Sequence, residues 1–389
     1  MKKIAYIGCL GMIGVITTEF GVIGILPQIA RYYGVRIETA GLLLSGFAMV
    51  IALAGPFMML LMSRFNRKTV MAVSLLLFLV SGIVSVLSPP FWLLLAARML
   101  PAFLQPVYIA TAIAAATGTA NKKDQHKMMA IVLGGIGIAT ITTVPFSTYI
   151  ADIFNSWQAS FVVQGIISLT ALCCIWFVLP AMPAKEKQSV GQHLIILRQP
   201  AFLISSVMVF LMNAAMFTTY AYFADYLEKV TGMGPGLISG MLLLFGVMGV
   251  AGNFVAGRLL SNSLMGTTAT FLAGLTVIAA GIYYAGPFSA MTLLLIAAWG
   301  FLHTPCFLTG QAYMISYAPE APEFANSLSI SFGNLGIAAG SLSGGWIIRE
   351  YGVQYTPWGM GLFGVGALGL VLFQWYKGEQ PAEQMMFEK

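Results

Sequence analysis

A glutamate interrupts the first long apolar run of this chain. "GVITTEFGVIGILP", residues 14–27, could dissolve in lipid everywhere except at Glu19. A charge near a bilayer centre costs roughly 2.5–3.5 kcal/mol on insertion scales, so an ionisable group there calls for a function or a partner. Its own helix offers no charged partner, because Val15, Ile16, Val22 and Ile23 occupy the positions three and four residues away. A carboxyl in that setting can take or lose a proton as the medium around it changes. The plainer reading is a fixed ion pair, or a hydrogen-bonded carboxyl that only orients its helix. Arg98, in "AARMLPAFLQPVY" at 96–108, is a second charge inside an apolar run. Each of the two lies about 8 residues from the outer end of its span, or roughly 12 Å deep at 1.5 Å per residue. Equal depth permits a pair, either one that switches during function or a permanent bridge. A buried unpaired arginine would be costly, so some partner is expected.

Other polar side chains sit in apolar runs with less distinctive chemistry. His303, in "WGFLHTPCF", belongs to the one residue type that titrates near neutral pH; it is either a proton site or a hydrogen-bonded interior histidine. Gln105, Tyr108, Asn213, Tyr220, Gln311 and Asn334 offer hydrogen bonds and rings suited to sugars or amphipathic drugs, or they hold helices together. Asp225 and Asp152 fall near the outer ends of their runs and read as solvated mouth residues. Gly8, Gly11, Gly14, Thr18 and Gly21 form a small-residue strip beside Glu19, a face for close helix packing.

These residues need spanning helices to position them. The chain has 389 residues, 59% hydrophobic and 8% charged, with a mean hydropathy of +0.87. A soluble domain carries about 25% charged residues, so this chain belongs in a bilayer. Lys2 and Lys3 precede an apolar run long enough to span, which speaks against a cleaved leader. Twelve spans are predicted: 4–26, 39–62, 69–88, 90–118, 128–151, 157–180, 200–226, 236–259, 267–286, 288–317, 326–349 and 355–376. With the N-terminus inside, 14 of the 19 Lys and Arg face the cytoplasm and 4 face out, Arg98 being left in the membrane. That bias puts both termini in the cytoplasm. The net charge of +6 is no sign of nucleic-acid binding, because the basic residues lie in short loops.

The loop at 181–199 separates an N-terminal six-helix bundle, 1–180, from a C-terminal one, 200–389, with a short cytoplasmic tail. The halves share sequence words at a constant offset. "AFLQP" at 102–106 recurs as "GFLHTP" at 300–305, "GIA" at 137–139 recurs at 336–338, and "LMSR" at 61–64 lies opposite "LLSN" at 259–262, so the offset is 198 or 199 throughout. A duplicated six-helix unit with a binding site between its copies is the reading. Thr218 then falls opposite Glu19, so the second half has no matching acid.

Soluble-enzyme chemistry has little support. There is no GxxxxGK[ST] phosphate loop, HExxH, GxSxG or facing pair of aspartates. Cys9, Cys173, Cys174 and Cys306 have no CxxC spacing and no neighbouring His or Asp, so no metal or other cofactor is expected. An intramembrane enzyme using Glu19 or His303 is a remote alternative.

Five stretches together resemble the major facilitator superfamily, and within it the twelve-helix drug:proton antiporter branch that includes sugar-efflux and arabinose-efflux permeases. "TTEFGVIGILPQIA" at 17–30 is similar to the first-helix signature and "GPFMMLLMSRFNRK" at 55–68 to the loop after helix 2. "AARMLPAFLQPVY" resembles the helix-4 arginine motif, and "GIGIATITTVPFSTYIADIFNSWQASF" at 135–161 the helix-5 antiporter motif with its following loop. "APEAPEFANSLSISFGNLGIAAGSLSGGW" at 318–346 is similar to the helix-11 signature. The chain departs from the pattern at Ser63 and Ser261, where an Asp is usual, and at Gln158, where an Arg is usual. Thr143 and Ser147 stand around Pro145 where the family often has Gly.

The resemblance implies an all-α integral membrane protein of twelve helices in two pseudo-symmetric bundles, without enzymatic activity. It implies a proton-coupled exporter of sugars or amphipathic drugs, working as a monomer in the cytoplasmic membrane, with a small-molecule substrate and protons as partners. Glu19 and Arg98 would couple protons. Gln105, Tyr108, Asn213, Tyr220, His303, Gln311 and Asn334 would line the cavity. Arg64, Arg67, Lys68, Thr143, Pro145 and Ser147 would gate or pack helices. An importer or passive facilitator is the alternative.

Overall fold

The structure is a computed structural model. It describes residues 2–62, 64–118, 121, 124–180, 182, 196–286, 289–319 and 322–378. Ser63, Lys122, Lys123, most of the 181–199 loop and the tail beyond Gly378 lie outside the described residues.

The helices are α1 Lys2–Phe20, α2 Leu26–Tyr33, α3 Ile37–Ala40, α4 Leu42–Met62, α5 Arg67–Val86, α6 Phe91–Ala102, α7 Gln105–Gly118, α8 Gln125–Ile138, α9 Val144–Ile153 and α10 Trp157–Val178. They continue with α11 Pro200–Tyr220, α12 Phe223–Thr231, α13 Pro235–Leu260, α14 Leu264–Ala285, α15 Ser289–Ser316, α16 Pro322–Tyr351 and α17 Thr356–Tyr376. Among the described residues, eleven helical segments are long and apolar enough to cross a membrane. The expected span at 326–349 is the exception: α16 is there and 30 residues long, but its sequence is too rich in Ser, Gly and Asn to meet that measure. The reason is packing. A Cβ added at Gly336, Gly340 or Gly344 would come within 2.3 Å or less of the carbonyl oxygens of Phe210, Ala214 and Thr218 on α11. These glycines, four residues apart, let two helix backbones touch.

Contacts divide the chain into two compact units, Met1–Lys187 with Gly234–Leu243, and Gln188–Met233 with Leu244–Lys389. In the first unit α1 is the most enclosed helix, buried along most of its length. In the second, α11 plays that part.

Several spans are not continuous helices, and proline explains two of the breaks. A proline removes the hydrogen bond to the carbonyl four residues back and crowds that carbonyl. Pro106 does so to Ala102, where α6 ends. Pro145 does so to Ile141, and the backbone widens into a π-helical turn at Ala139–Thr143. The first span breaks after Phe20, runs through a 3-10 turn at Ile23–Ile25, and restarts as α2 with Pro27 in its first turn, where a missing N–H costs nothing. Helix therefore extends past Pro27 to Tyr33, beyond the predicted boundary.

The seventh span breaks in the same way, after Tyr220, and restarts as α12. Both restarted helices end on a left-handed glycine, Gly34 (φ 62°) and Gly232 (φ 69°), which lie 198 positions apart (232 − 34). The sequence offset thus reappears as a shared backbone feature. Glu19 and Thr219 each precede the last residue of the helix before the break, so the structural counterpart of Glu19 is one position beyond Thr218.

Candidate functional site

The breaks in the first unit gather its polar groups. Glu19 is the penultimate residue of α1, Gln105 opens α7 and Arg98 lies near the end of α6. All three are buried, Arg98 completely. Gln105 Nε2 donates to Glu19 Oε2. Arg98 Nη2 donates not to Glu19 but to the carbonyl oxygen of Thr18, at 2.9 Å. The pair anticipated from equal depth is therefore absent in this conformation. A helix end leaves its last carbonyls without intrahelical donors. The break after Phe20 exposes Thr18 O to Arg98, which caps it. Arg98 Nε and Nη1 have no hydrogen-bond partner among the described residues. Instead the guanidinium lies 5.3 Å from the Phe161 ring centroid and 6.0 Å from that of Phe47. Ring faces attract a desolvated cation by up to about 2 kcal/mol.

Around this centre the small-residue strip of α1 packs as expected. Tyr108 donates from its hydroxyl to Gly8 O (3.2 Å), and a Cβ at Gly11 would fall 1.7 Å from that hydroxyl. Gly14 meets Ser168 of α10. The Thr17 and Thr143 hydroxyls hydrogen-bond to each other, tying α1 to the π-helical turn, and Ser147 Oγ donates to Thr143 O (2.6 Å). Pro145 O accepts from Ser239 Oγ (2.8 Å), at the opening of α13 that groups with the first unit.

The basic residues after the second span separate in role. Arg64 is exposed, whereas Arg67 Nη1 donates to Ala114 O (2.9 Å) and so satisfies a carbonyl in the last turns of α7. The backbone N–H of Lys68 donates to the capping side chain of Asn66. Gln158 occupies its atypical position usefully, donating to Ser88 Oγ (2.8 Å) and accepting from Ser156 Oγ (2.7 Å).

In the second unit, Tyr220 and His303 join one aromatic cluster. Tyr220 stacks on Phe245 with centroids 4.7 Å apart, and the His303 ring lies 4.9 Å from Tyr220 and 5.1 Å from Phe245. Trp299, Phe223, Phe217 and Phe307 also belong to it. His303 Nδ1 and Trp299 Nε1 are buried without a hydrogen-bond partner among the described residues. Asn213 lies apart, against the glycines of α16, with Nδ2 on Val209 O. Asn334 bonds its own helix at Ile330 O, and Gln311 is exposed and bonded to Asn326. Within the second unit, Tyr220 and His303 thus share the aromatic cluster, and Asn213, Gln311 and Asn334 have their hydrogen bonds elsewhere.

Asp225 is not a solvated mouth residue. Its side chain is 3% exposed and pairs with Lys229 at 2.9 Å, one turn on. The break after Tyr220 explains this, because it places Asp225 in the first turn of a new helix, whose N-terminal dipole favours a carboxylate.

Sequence reasoning missed the backbone acceptor at Thr18, the ring pair Phe47 and Phe161, and the aromatic partners Phe245 and Trp299. Phe161 closes the stretch 135–161 already singled out; a backbone carbonyl leaves no sequence signal.

This is a multi-pass helical membrane protein. The Major Facilitator Superfamily model matches residues 8–322, so the chain belongs to that superfamily and is a transporter rather than an enzyme. It is 27% identical over 361 residues to a probable sugar efflux transporter of Helicobacter pylori (strain P12), covering 93% of this chain and 91% of that one. It is 29% identical over 365 residues to the inner membrane transport protein YdhP of Escherichia coli (strain K12), covering 94% and 93%. Two solved structures share the fold. They are the human organic anion transporter MFSD10 (TM-score 0.72, 14% identity, 95% of this chain and 99% of that one) and a variant of the nucleoside transporter NupG (0.76, 10%, 96% and 99%).

Proposed function

We propose that this transporter exports a small polar solute, a sugar or an amphipathic drug, in exchange for inward-moving protons, and that Glu19 is the protonation site. The observation that carries this reading is the partner of Glu19. Its carboxyl meets a neutral amide instead of a cation, so it can be charged or neutral without stranding a counter-charge in a dry interior. Arg98 holds the broken end of α1 beside it and lends positive potential. The names of the sugar efflux relatives support a sugar as cargo. The distribution of Lys and Arg supports both termini inside, and on this reading the protein works as a monomer in the cytoplasmic membrane by alternating access.

Reconstitution tests the reading. Proteoliposomes with an imposed pH gradient should move radiolabelled arabinose or ethidium against its concentration. Glu19→Gln should lower the gradient-driven flux at least about tenfold, a difference of about 1.4 kcal/mol, while gradient-free counterflow persists. Gradient-driven flux that survives Glu19→Gln would sink the coupling role.

A further inference from the structure

Gln105 was expected among the residues that touch cargo. Its position gives it a partner within the protein. It is 4% exposed, and its one hydrogen bond among the described residues goes to Glu19. Its Oε1 is buried and has no protein partner among those residues. A primary amide carries a donor and an acceptor side by side. An ionised carboxylate can use only the donor, whereas a carboxylic acid adds an O–H that needs an acceptor. The half-used amide suits the ionised form, and its unused oxygen is an acceptor within the same side chain for the O–H of the protonated form.

We propose that Gln105 is the hydrogen-bond partner of the Glu19 carboxyl in both protonation states, its Nε2 donating to the carboxylate and its Oε1 accepting from the acid. The proton comes from water on one side of the membrane, resides on a Glu19 oxygen and leaves to water on the other. No covalent bond other than O–H forms or breaks. The position of Gln105 suits a change of partner atom. It is the first residue of α7, next to the two-residue break at 103–104 between α6 and α7. Rotating the side-chain amide exchanges donor for acceptor without moving either helix.

Other groups do not compete for the acid. Arg98 from α6 carries donors only and so offers the acid O–H no acceptor, and Tyr108 from α7 gives its hydroxyl to Gly8 O. Among the described side chains of α4, α5, α8, α10 and the π-helical turn, which also pack on α1, the titratable ones are Arg67 and Lys68 in the first turn of α5, Lys127 in the first turn of α8, and the thiols Cys173 and Cys174. Cys9 lies on α1 itself, nearly three turns before Glu19. Gln105 is therefore a positioning residue that distinguishes the charged from the neutral carrier.

The inference rests on the proton-coupling reading of Glu19, and infrared difference spectroscopy separates the two. Purified full-length protein in lipid is titrated with pH and the carboxylic-acid C=O band is followed. Glu19→Gln should remove a band that wild type shows; a band spectrum unchanged by that variant overturns the coupling reading itself. Gln105→Leu, with Gln105→Met as a straight-chain variant should leucine fail to fold, should move the Glu19 band to higher frequency. It should also displace the band's midpoint by about one pH unit or more, a tenfold change in proton affinity. The exchanged double variant Glu19→Gln with Gln105→Glu should restore a titrating band near the wild-type frequency. If Glu19→Gln removes the band but neither Gln105 variant moves it, Gln105 is not its partner and the inference alone falls. A raised arabinose KM in the Gln105 variants with an unmoved band would instead return the residue to the substrate site.

Discussion

At the residue scale the main lesson concerns Arg98. Equal depth permits two buried opposite charges to pair, and in this conformation they do not. The guanidinium found a closer need in the open carbonyl of Thr18, which exists only because α1 breaks two residues later. A hydrogen bond to a charged group contributes about 1.5–3 kcal/mol. Arg98→Lys keeps a charge but loses the planar fork that reaches Thr18 O while lying between Phe47 and Phe161. It should therefore lower the melting temperature of the detergent-solubilised protein measurably, by size-exclusion thermal assay. Glu19→Gln, in contrast, exchanges one acceptor oxygen for another in contact with Gln105 and should melt within a few degrees of wild type. If the two variants melt alike, Arg98 has no structural role distinct from charge.

At the scale of elements, glycine spacing sets how closely helices approach. Along α16 the glycines at 336, 340 and 344 meet backbone oxygens of α11, which cannot rotate away. Gly340→Ala would place a Cβ 2.3 Å from Ala214 O and force the two helices apart. Overpacking of this kind costs typically about 1–3 kcal/mol. Gly257→Ala on α13 is the matched control, since nothing lies within 4 Å of its added Cβ. There the helix should gain roughly 0.5–1 kcal/mol from the lost flexibility of glycine. Thermal melting should accordingly move in opposite directions for the two alanines, and a common direction would refute the packing account of α16. The same packing explains why that helix looked less apolar than its neighbours in sequence.

At the scale of the whole molecule, the arrangement of positive residues predicts which way the chain sits. Both termini should lie on the cytoplasmic side. A fluorescent protein fused after Lys389 should be bright, and alkaline phosphatase fused there should be inactive in cells. A phosphatase inserted after Gly34 should be active, because Gly34 follows the first span and faces out when the N-terminus is inside. Reversed activities would invert the orientation, and with it the side from which cargo leaves.

The sequence by itself determined the bilayer, the number and order of the long helices and the superfamily, because these rest on hydropathy, helix length and words repeated along the chain. It also pointed to Glu19 and Arg98, since a charge in an apolar run stands out without any knowledge of its surroundings. Tertiary structure decided what those charges touch. Pro27, Pro106 and Pro145 were legible as residues, but the break after Tyr220 has no proline or glycine in it, and it alone turned Asp225 from a mouth residue into a buried helix-end carboxylate. The cap on Thr18 and the amide on Glu19 depend on where separate helices bring a carbonyl and a side chain together. Such contacts are properties of packing in three dimensions, and a linear pattern of residue types does not encode which backbone oxygen will be left without a donor.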